Sequence, residues 1–254
     1  SGSGQARLYL YVSSLENPLT PELELAYREI LSSSEEERNA CYATTILRQR
    51  DLLTRALLRC ALSLHAPVAP ENWRFSILSM GKPVIASCHD DLARWQFNLS
   101  GSRNMVVVAI CKGRAVGVDI ELSAVANELL DSPLIFSLCE RASLQKLPLD
   151  ERKRRFLDHW AIKEAYLKAS GKGMSIPLNS IAPDFGEPGR IRFSAIGGDE
   201  PLHANWTFMQ LDVSGHGTVS ICLEGTAMPA TELALFMPFN SPPRNLSFRI
   251  LRRS

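Results

Sequence analysis

The sequence predicts an α+β fold in which one order of elements occurs twice. Three observations predict it. Short apolar runs such as Arg7 to Val12, Met105 to Cys111 and Val116 to Leu122 have strand length and strand composition. Two longer stretches, near residues 47–64 and 150–170, carry apolar residues at helical spacing. The order runs strands plus a helix, then strands plus a helix again, with a seam near residues 112–116. That order, not residue identity, is the sign of an internal duplication.

Taken in turn, Arg7 to Val12 reads as a strand. Ser34 followed by Glu37 has capping-box spacing. One long helix is expected after it, with Leu47, Leu53, Leu57, Ala61 and Leu64 near one stripe, ended by Pro67 and Pro70. Trp73 to Leu78 is a strand, Gly81-Lys82-Pro83 a turn, and Gln96 to Leu99 and Met105 to Cys111 further strands. Lys112-Gly113-Arg114 reads as a hairpin turn into the strand Val116 to Leu122. Leu129 to Leu147 is mixed. A strong helix runs from about Asp150 to Ser170, where Gly171-Lys172-Gly173 stops it. Strand-like runs return at Ile191–Ala195, Asn205–Leu211 and Thr218–Leu223, and a tail rich in Pro, Asn and Arg follows Met228. The expected division is residues 5–114, residues 115–225 and a tail, 226–254.

At 254 residues the chain holds one large domain or two small ones. Hydrophobic residues make up 45% and charged residues 22%, ordinary for a globular protein. A formal charge of +1 offers no global field for nucleic acid. The longest apolar run, Met105 to Cys111, is far too short to cross a bilayer. No secretory segment is read at the start, where Ser1-Gly2-Ser3-Gly4 looks like an engineered scar. The six cysteines are widely spaced with no CxxC pair, which argues against zinc and redox motifs; most lie in apolar runs and are expected as buried thiols in a reducing cytoplasm.

The chemistry concentrates in carboxylates. In a strand Val116, Val118, Ile120 and Leu122 point one way, so Asp119 and Glu121 point together to the other face, roughly 6–7 Å apart. Two like charges that close repel unless a cation lies between them. The plain alternative is a half-exposed strand with two acids facing water. Gly117 tilts the balance, because glycine in a strand often marks close approach by a ligand or another backbone. Glu164 falls on the Leu157, Ala161, Lys168 stripe of its helix, among apolar neighbours; its alternative is an i,i+4 surface pair with Lys168. Lys82, held between Gly81 and Pro83, is suited to meet a phosphate as a point charge. Arg38, Arg48, Arg50, Arg55 and Arg59 read as a solvated helix face from which one or two reach phosphates. The five histidines show no recurrent spacing, Ser100 lacks a nucleophile-elbow context, and no P-loop is present.

Taken together and in order, these residues resemble the 4′-phosphopantetheinyl transferases of the longer, pseudo-dimeric Sfp type. That family carries Gly-Lys/Arg-Pro, Phe-Asn-Leu-Ser-His-Ser, Val-Gly-Val-Asp-Ile-Glu, Phe…Glu, and Trp-x-x-Lys-Glu-Ala-x-x-Lys-x-x-Gly-Lys-Gly. This chain has Gly81-Lys82-Pro83, Phe97-Asn98-Leu99-Ser100-Gly101-Ser102, Val116 to Glu121, Phe136…Glu140, and Trp160 through Gly173. The similarity spans about residues 34–175, and its last two motifs are specific in combination.

The resemblance implies an α+β 4′-phosphopantetheinyl transferase fold of two similar halves with the active site between them. It implies transfer of the phosphopantetheine arm of coenzyme A to a serine of an acyl or peptidyl carrier protein, which explains the missing nucleophile. By the same resemblance Asp119, Glu121 and Glu164 would hold Mg²⁺, or Mn²⁺ in its place. Glu140 would be the base for the carrier serine. Lys168 would contact the phosphates with help from Lys163. Lys82, Pro83 and Ser100 would bind the nucleotide end, with Arg38 and Arg50 as further contacts. The family's histidine, which would touch a coenzyme A phosphate, is Gly101 here; that puts the phosphate contact, not the metal site, in question, with Ser102 or Arg103 as the residues to compensate. The expected protein is a cytoplasmic monomer. The competing readings are a non-catalytic carrier-protein- or coenzyme-A-binding module of the same fold, and a phosphohydrolase, which usually needs a histidine or second metal set not found here. An apolar patch at Leu129, Leu130, Leu134, Ile135 and Phe136, whose plain alternative is core, and the basic residues Arg141, Lys146 and Arg152 to Arg155, are the expected carrier surface.

Overall fold

A computed structural model describes residues 7–122, 125–193, 205–213 and 217–254. In chain order the described elements are β1 (Arg7–Ser14), α1 (Pro21–Glu29), α2 (Ser33–Ala40), α3 (Thr45–Ser63), β2 (Phe75–Ile77), β3 (Pro83–Ile85), β4 (Trp95–Ser102) and β5 (Met105–Lys112). They continue with β6 (Val116–Ile120), α4 (Leu138–Gln145), α5 (Leu149–Ser170), β7 (Pro183–Asp184), β8 (Arg192–Phe193), β9 (Trp206–Val213) and β10 (Gly217–Glu224). The last are β11 (Ala230–Met237), β12 (Ser241–Asn245) and β13 (Phe248–Arg253). The chain divides into two units, Ser1–Arg114 with Pro229–Ser247, and Ala115–Met228 with Phe248–Ser254.

The first unit has a sheet in the order β12-β11-β1-β5-β4, and the second one in the order β13-β9-β10-β6. Within each, the same path recurs: a strand, a long helix, then an antiparallel hairpin whose second strand pairs with the first strand. In the first unit this is β1, α3 and β4–β5; in the second it is β6, α5 and β9–β10. The additions differ: β11 lies parallel to β1 in one unit, and β13 pairs with β9 in the other.

In the first unit α3 packs its Leu53, Ala56, Leu57 and Cys60 stripe with Val106, Val108 and Ile110 of β5 and Phe97 of β4. The expected single helix after Ser34 is two helices. Ser32 and Glu35, not Ser34 and Glu37, form the capping box of α2, and Thr44 caps α3 by accepting from the Leu47 backbone N–H at 3.3 Å. Each threonine or serine oxygen replaces a partner that a new helix start otherwise leaves unsatisfied. Asn39 braces the break by donating to Arg48 O and Asp51 Oδ2, both at 2.9 Å. Buried Arg59 pairs with Glu35, which removes it from any solvated arginine face.

In the second unit α5 lies against β6, and Gly117 is why it lies so close. A Cβ there would stand 2.0 Å from Ala165 O and 2.5 Å from Ala169 N. The close approach expected at this glycine is therefore by the helix backbone. Gly171, at φ 68°, ends α5 in the left-handed conformation that favours glycine. Two further expectations are corrected. Lys112-Gly113-Arg114 is no hairpin turn, since β5 and β6 belong to different sheets. The stretch after Met228 is strand-forming, with β11 and β12 in one unit and β13 in the other. Pro242 and Pro243 sit in β12, an edge strand, where a missing N–H costs least. Of the strand expected at Ile191–Ala195, residues 194 and 195 lie outside the described residues.

Candidate active site

Alternation along β6 puts Val116, Val118 and Ile120 on one face and Gly117 and Asp119 on the other, toward α5. Asp119 is 5% exposed, and Glu121 follows just past the end of β6, its Oε1 accepting from the Leu122 N–H at 2.9 Å. Lys168, one turn beyond Glu164 on α5, sends its Nζ to Asp119 Oδ1 at 2.6 Å and Val118 O at 3.4 Å. Glu164 is half-buried. Burial pushes its carboxyl up; Lys168 opposes this, and the charges of Asp119 and Glu121 add to it. The three acids therefore feel one another electrostatically, and Lys168 is the cation among them.

Among the described residues, no three of His, Cys, Asp and Glu stand close enough, as placed, to hold a metal ion. The donor set nonetheless fits a divalent cation in kind. It consists of carboxylate oxygens, which suit a hard ion, and after burial, the main cause, the charges of Asp119 and Glu121 add to the upward push on Glu164. Asp119, Glu121 and Glu164 are the residues that would hold such an ion, in exchange for the ammonium now on Asp119.

Glu140 and Lys163 belong to a different group. Glu140 is 4% exposed and is the third residue of α4, where Ser137 and Glu140 form a reciprocal capping box. Lys163 is 0% exposed. Its Nζ donates to Ile135 O at 2.6 Å, Glu140 Oε2 at 2.9 Å and Leu178 O at 3.1 Å, and it lies 4.9 Å from the Phe136 ring centroid. His159 Nδ1 faces Glu140 Oε1 at 3.0 Å. Burial raises the Glu140 carboxyl, but His159 and Lys163 outweigh it and hold it below the usual glutamate range. Burial holds His159 and Lys163 below theirs. Lys163 is thus spent on backbone carbonyls and Glu140. Glu140 has three protein partners, and borders a cavity of about 260 Å³ that His159, Arg155 and Phe185 also line. No recurrent spacing in the sequence points to His159; its i,i+4 relation to Lys163 on one helix is the signal that marks it.

In the first unit Lys82 and Pro83 stand at the β2–β3 hairpin, Ser100 is buried in β4, and Arg38 is exposed on α2. Arg50 lies on α3, and its Nη1 donates to Arg103 O at 3.3 Å. A Cβ on Gly101 would stand 3.7 Å from Arg50 Cδ and 3.3 Å from Met105 O. The space that a family histidine would enter is thus the space beside Arg50.

Leu130, Ile135 and Phe136 of the expected apolar patch are core. Leu134 and Leu138 are each 79% exposed. Arg141 pairs with Asp131 at 2.9 Å, and Arg152 donates to Gln145 O and Leu147 O at 3.1 and 3.2 Å, tying down the end of α4. Lys146 and Arg154 remain exposed. A cleft of about 410 Å³ opens beside Glu121, with Arg154, Arg155, Asp158, Thr218 and Arg252 in its lining.

Comparison with known proteins bears on what these acids do. The family model described as the 4′-phosphopantetheinyl transferase superfamily matches residues 115–222, which hold Asp119, Glu121, Glu140 and Glu164. The 4′-phosphopantetheinyl transferase HetI of Nostoc sp. is 31% identical over 169 residues, 66% of this chain and 70% of that protein. This chain belongs to the 4′-phosphopantetheinyl transferases. The 4′-phosphopantetheinyl transferase Sfp of Bacillus subtilis is 28% identical over 72% of this chain and 79% of its own length. A phosphopantetheinyl transferase of Thraustochytrium is 28% identical over 72% of this chain and 67% of its own. The α+β architecture is that of a phosphopantetheinyl transferase, and the enzyme class follows with the family. Coenzyme A is the substrate of this class, and among the described residues of this transferase no helix is long and apolar enough to cross a membrane.

Proposed function

We propose that this transferase joins the 4′-phosphopantetheine arm of coenzyme A to a serine of an acyl or peptidyl carrier protein in the cytoplasm, as a monomer, and releases 3′,5′-ADP. The serine oxygen bonds to the phosphorus that bears the pantetheine, the pyrophosphate P–O bond breaks, and the serine proton leaves. The observation that carries the reading is the trio Asp119, Glu121 and Glu164 around Lys168, with Glu164 raised by burial and by its acidic neighbours.

Bound by these three acids, Mg²⁺ or Mn²⁺ would supply charge neutralisation at the pyrophosphate. Lys168, released from Asp119, would place its ammonium on the phosphate that becomes the leaving group. Lys82, Pro83, Ser100, Arg50 and Arg38 are proposed for the nucleotide end. Of the two remaining candidates, Lys163 is assigned to holding Glu140 and the Ile135 and Leu178 carbonyls rather than a phosphate. Glu140 takes the serine proton through water in the cavity it borders: the Ser137 N–H and Lys163 hold Oε2, and Oε1, buried beside His159 Nδ1, makes no hydrogen bond among the described residues.

Mass spectrometry of an acyl carrier protein incubated with the enzyme, coenzyme A and Mg²⁺ tests this. The expected result is a gain of one phosphopantetheine mass, lost in Asp119→Ala and Glu164→Ala. Binding of coenzyme A or carrier without any mass gain would instead support a non-catalytic module.

A further inference from the structure

The second unit's sheet carries a row of polar residues where its neighbouring row is apolar. The register aligns Asp119 of β6 with Ser220 of β10, Ser220 with Gln210 of β9, and Gln210 with Arg252 of β13. One polar side chain thus comes from each of the four strands. The next row on the same face, Gly117, Cys222 and Phe208, faces the apolar side of α5. Ser220 and Gln210 are each 0% exposed. Burying an amide and a hydroxyl in a helix–sheet interface is unfavourable unless every hydrogen-bonding group finds a partner.

The partners form a chain. Gln210 Nε2 donates to Ser220 Oγ at 3.0 Å and to the Asp158 backbone carbonyl at 3.1 Å. Gln210 Oε1 accepts from Arg252 Nη1 at 2.6 Å, and Arg252 also meets Asp158 Oδ2 at 3.0 Å. The amide is therefore fixed in one orientation, with both its donors and its acceptor engaged. Ser220 Oγ is used as an acceptor, so its hydroxyl proton is left to donate. The residue directly across the strand is Asp119, and opposed side chains in an antiparallel pair have Cβ atoms about 4.5–5.5 Å apart.

We infer that Ser220, Gln210 and Arg252 are positioning residues for Asp119: Ser220 donates to its carboxylate once Lys168 leaves it, a bond not made while Lys168 holds Asp119 Oδ1; Gln210 orients Ser220, and Arg252 with Asp158 orients Gln210. The inference rests on the metal reading of Asp119 given above. It links the site to β13, at the far edge of the sheet. Outer partners of a liganding carboxylate typically change metal affinity by 10–100-fold when removed.

The test is Mn²⁺ binding to the full chain, followed by electron paramagnetic resonance, for the wild type and for Asp119→Ala, Ser220→Ala, Gln210→Leu and Arg252→Met. Thermal unfolding and metal-free titration of coenzyme A are measured alongside. The expected result is a loss of Mn²⁺ affinity of about tenfold or more in Ser220→Ala and Gln210→Leu, a smaller loss in Arg252→Met, and unchanged metal-free coenzyme A binding. If Asp119→Ala loses Mn²⁺ while Ser220→Ala and Gln210→Leu bind it like the wild type, the inference is overturned and the metal site stands. If Asp119→Ala binds Mn²⁺ normally, the metal reading itself fails and the inference with it. If Mn²⁺ affinity, coenzyme A affinity and melting temperature all fall together, the row is merely a packing device. Ser220→Ala removes a single oxygen and carries the test should Gln210→Leu not fold.

Discussion

Glu164 shows how one side chain trades stability for function. Its carboxyl is pushed up by burial first and then by Asp119 and Glu121, with Lys168 pulling the other way. A carboxyl raised on folding favours the folded state below the ordinary glutamate value, where it is protonated, and that benefit is lost as pH rises through its folded value. At neutral pH without a divalent cation, Glu164→Gln is therefore expected to melt higher than the wild type. The gain should shrink as the pH falls into the range where the wild-type carboxyl is also protonated. Added Mg²⁺ should raise the melting temperature of the wild type but not of the variant, since only a bound ion stabilises by mass action. Differential scanning calorimetry at two pH values reads both effects, and a variant that melts lower than the wild type at neutral pH would contradict the strain. At the same scale, Asp119 and Glu121 were legible from strand alternation alone. The Lys168–Asp119 contact was not, because the i,i+4 spacing pointed Lys168 at Glu164.

At the scale of elements, two features of α5 decide its place. The first is Gly117 beneath it. Gly117→Ala would drive a methyl to within 2.0 Å of Ala165 O, a backbone atom that cannot swing aside. The expected cost is about 3 kcal/mol or more, at or beyond the usual range for overpacking, read as a lower denaturant midpoint and a loss of Mn²⁺ binding. The second feature is the Glu140–Lys163–His159 group that joins α4 to α5. Its carboxylate is depressed on folding by His159 and Lys163 despite its burial. The stability it contributes is present above the ordinary glutamate value and is lost as pH falls through the folded one. Glu140→Gln leaves the fully buried Lys163 ammonium without its counter-charge, and breaking a buried pair from one side costs about 3–5 kcal/mol. Chemical denaturation at neutral pH checks this. A variant as stable as the wild type but inactive would make proton transfer, not the buried pair with Lys163, the main role of Glu140. The helix break between α2 and α3 is hidden in the sequence for a related reason: Ser32-Glu35 and Ser34-Glu37 have the same spacing, and only the Arg59–Glu35 pair selects the first, while the Asn39 contacts to Arg48 and Asp51 hold the break.

For the whole molecule, the near-neutral charge makes local basic residues matter more for an encounter with an acidic carrier. Arg141 and Arg152 are committed to Asp131 and to the end of α4, which leaves exposed Lys146 and Arg154 to act on a partner. Lys146→Glu with Arg154→Glu is expected to raise the KM for carrier several-fold at low salt and leave the KM for coenzyme A unchanged. The difference from the wild type should shrink at high salt, since exposed charges are screened there. Steady-state kinetics at two ionic strengths measure it, and an unchanged carrier KM would put the docking surface elsewhere.

By itself the sequence determined the family and the repeated strand-and-helix order, and it singled out Asp119, Glu121 and Glu164 as acids to be read together. Each of these rests on near-neighbour chemistry: period-2 alternation in Val116 to Leu122, period-3.6 stripes in the long helix, and short motifs read in order. Only the tertiary structure decided that Lys168 sits on Asp119, that Lys163 and Glu140 are buried together with His159, and that residues after Met228 complete the two sheets. It alone aligned Asp119, Ser220, Gln210 and Arg252, which are spread over more than a hundred positions of the chain. The β9–β10 register follows from a short hairpin connection, but β6 with β10 and β13 with β9 are joined across distant parts of the chain, where register is set by the packing of whole faces rather than by a local turn.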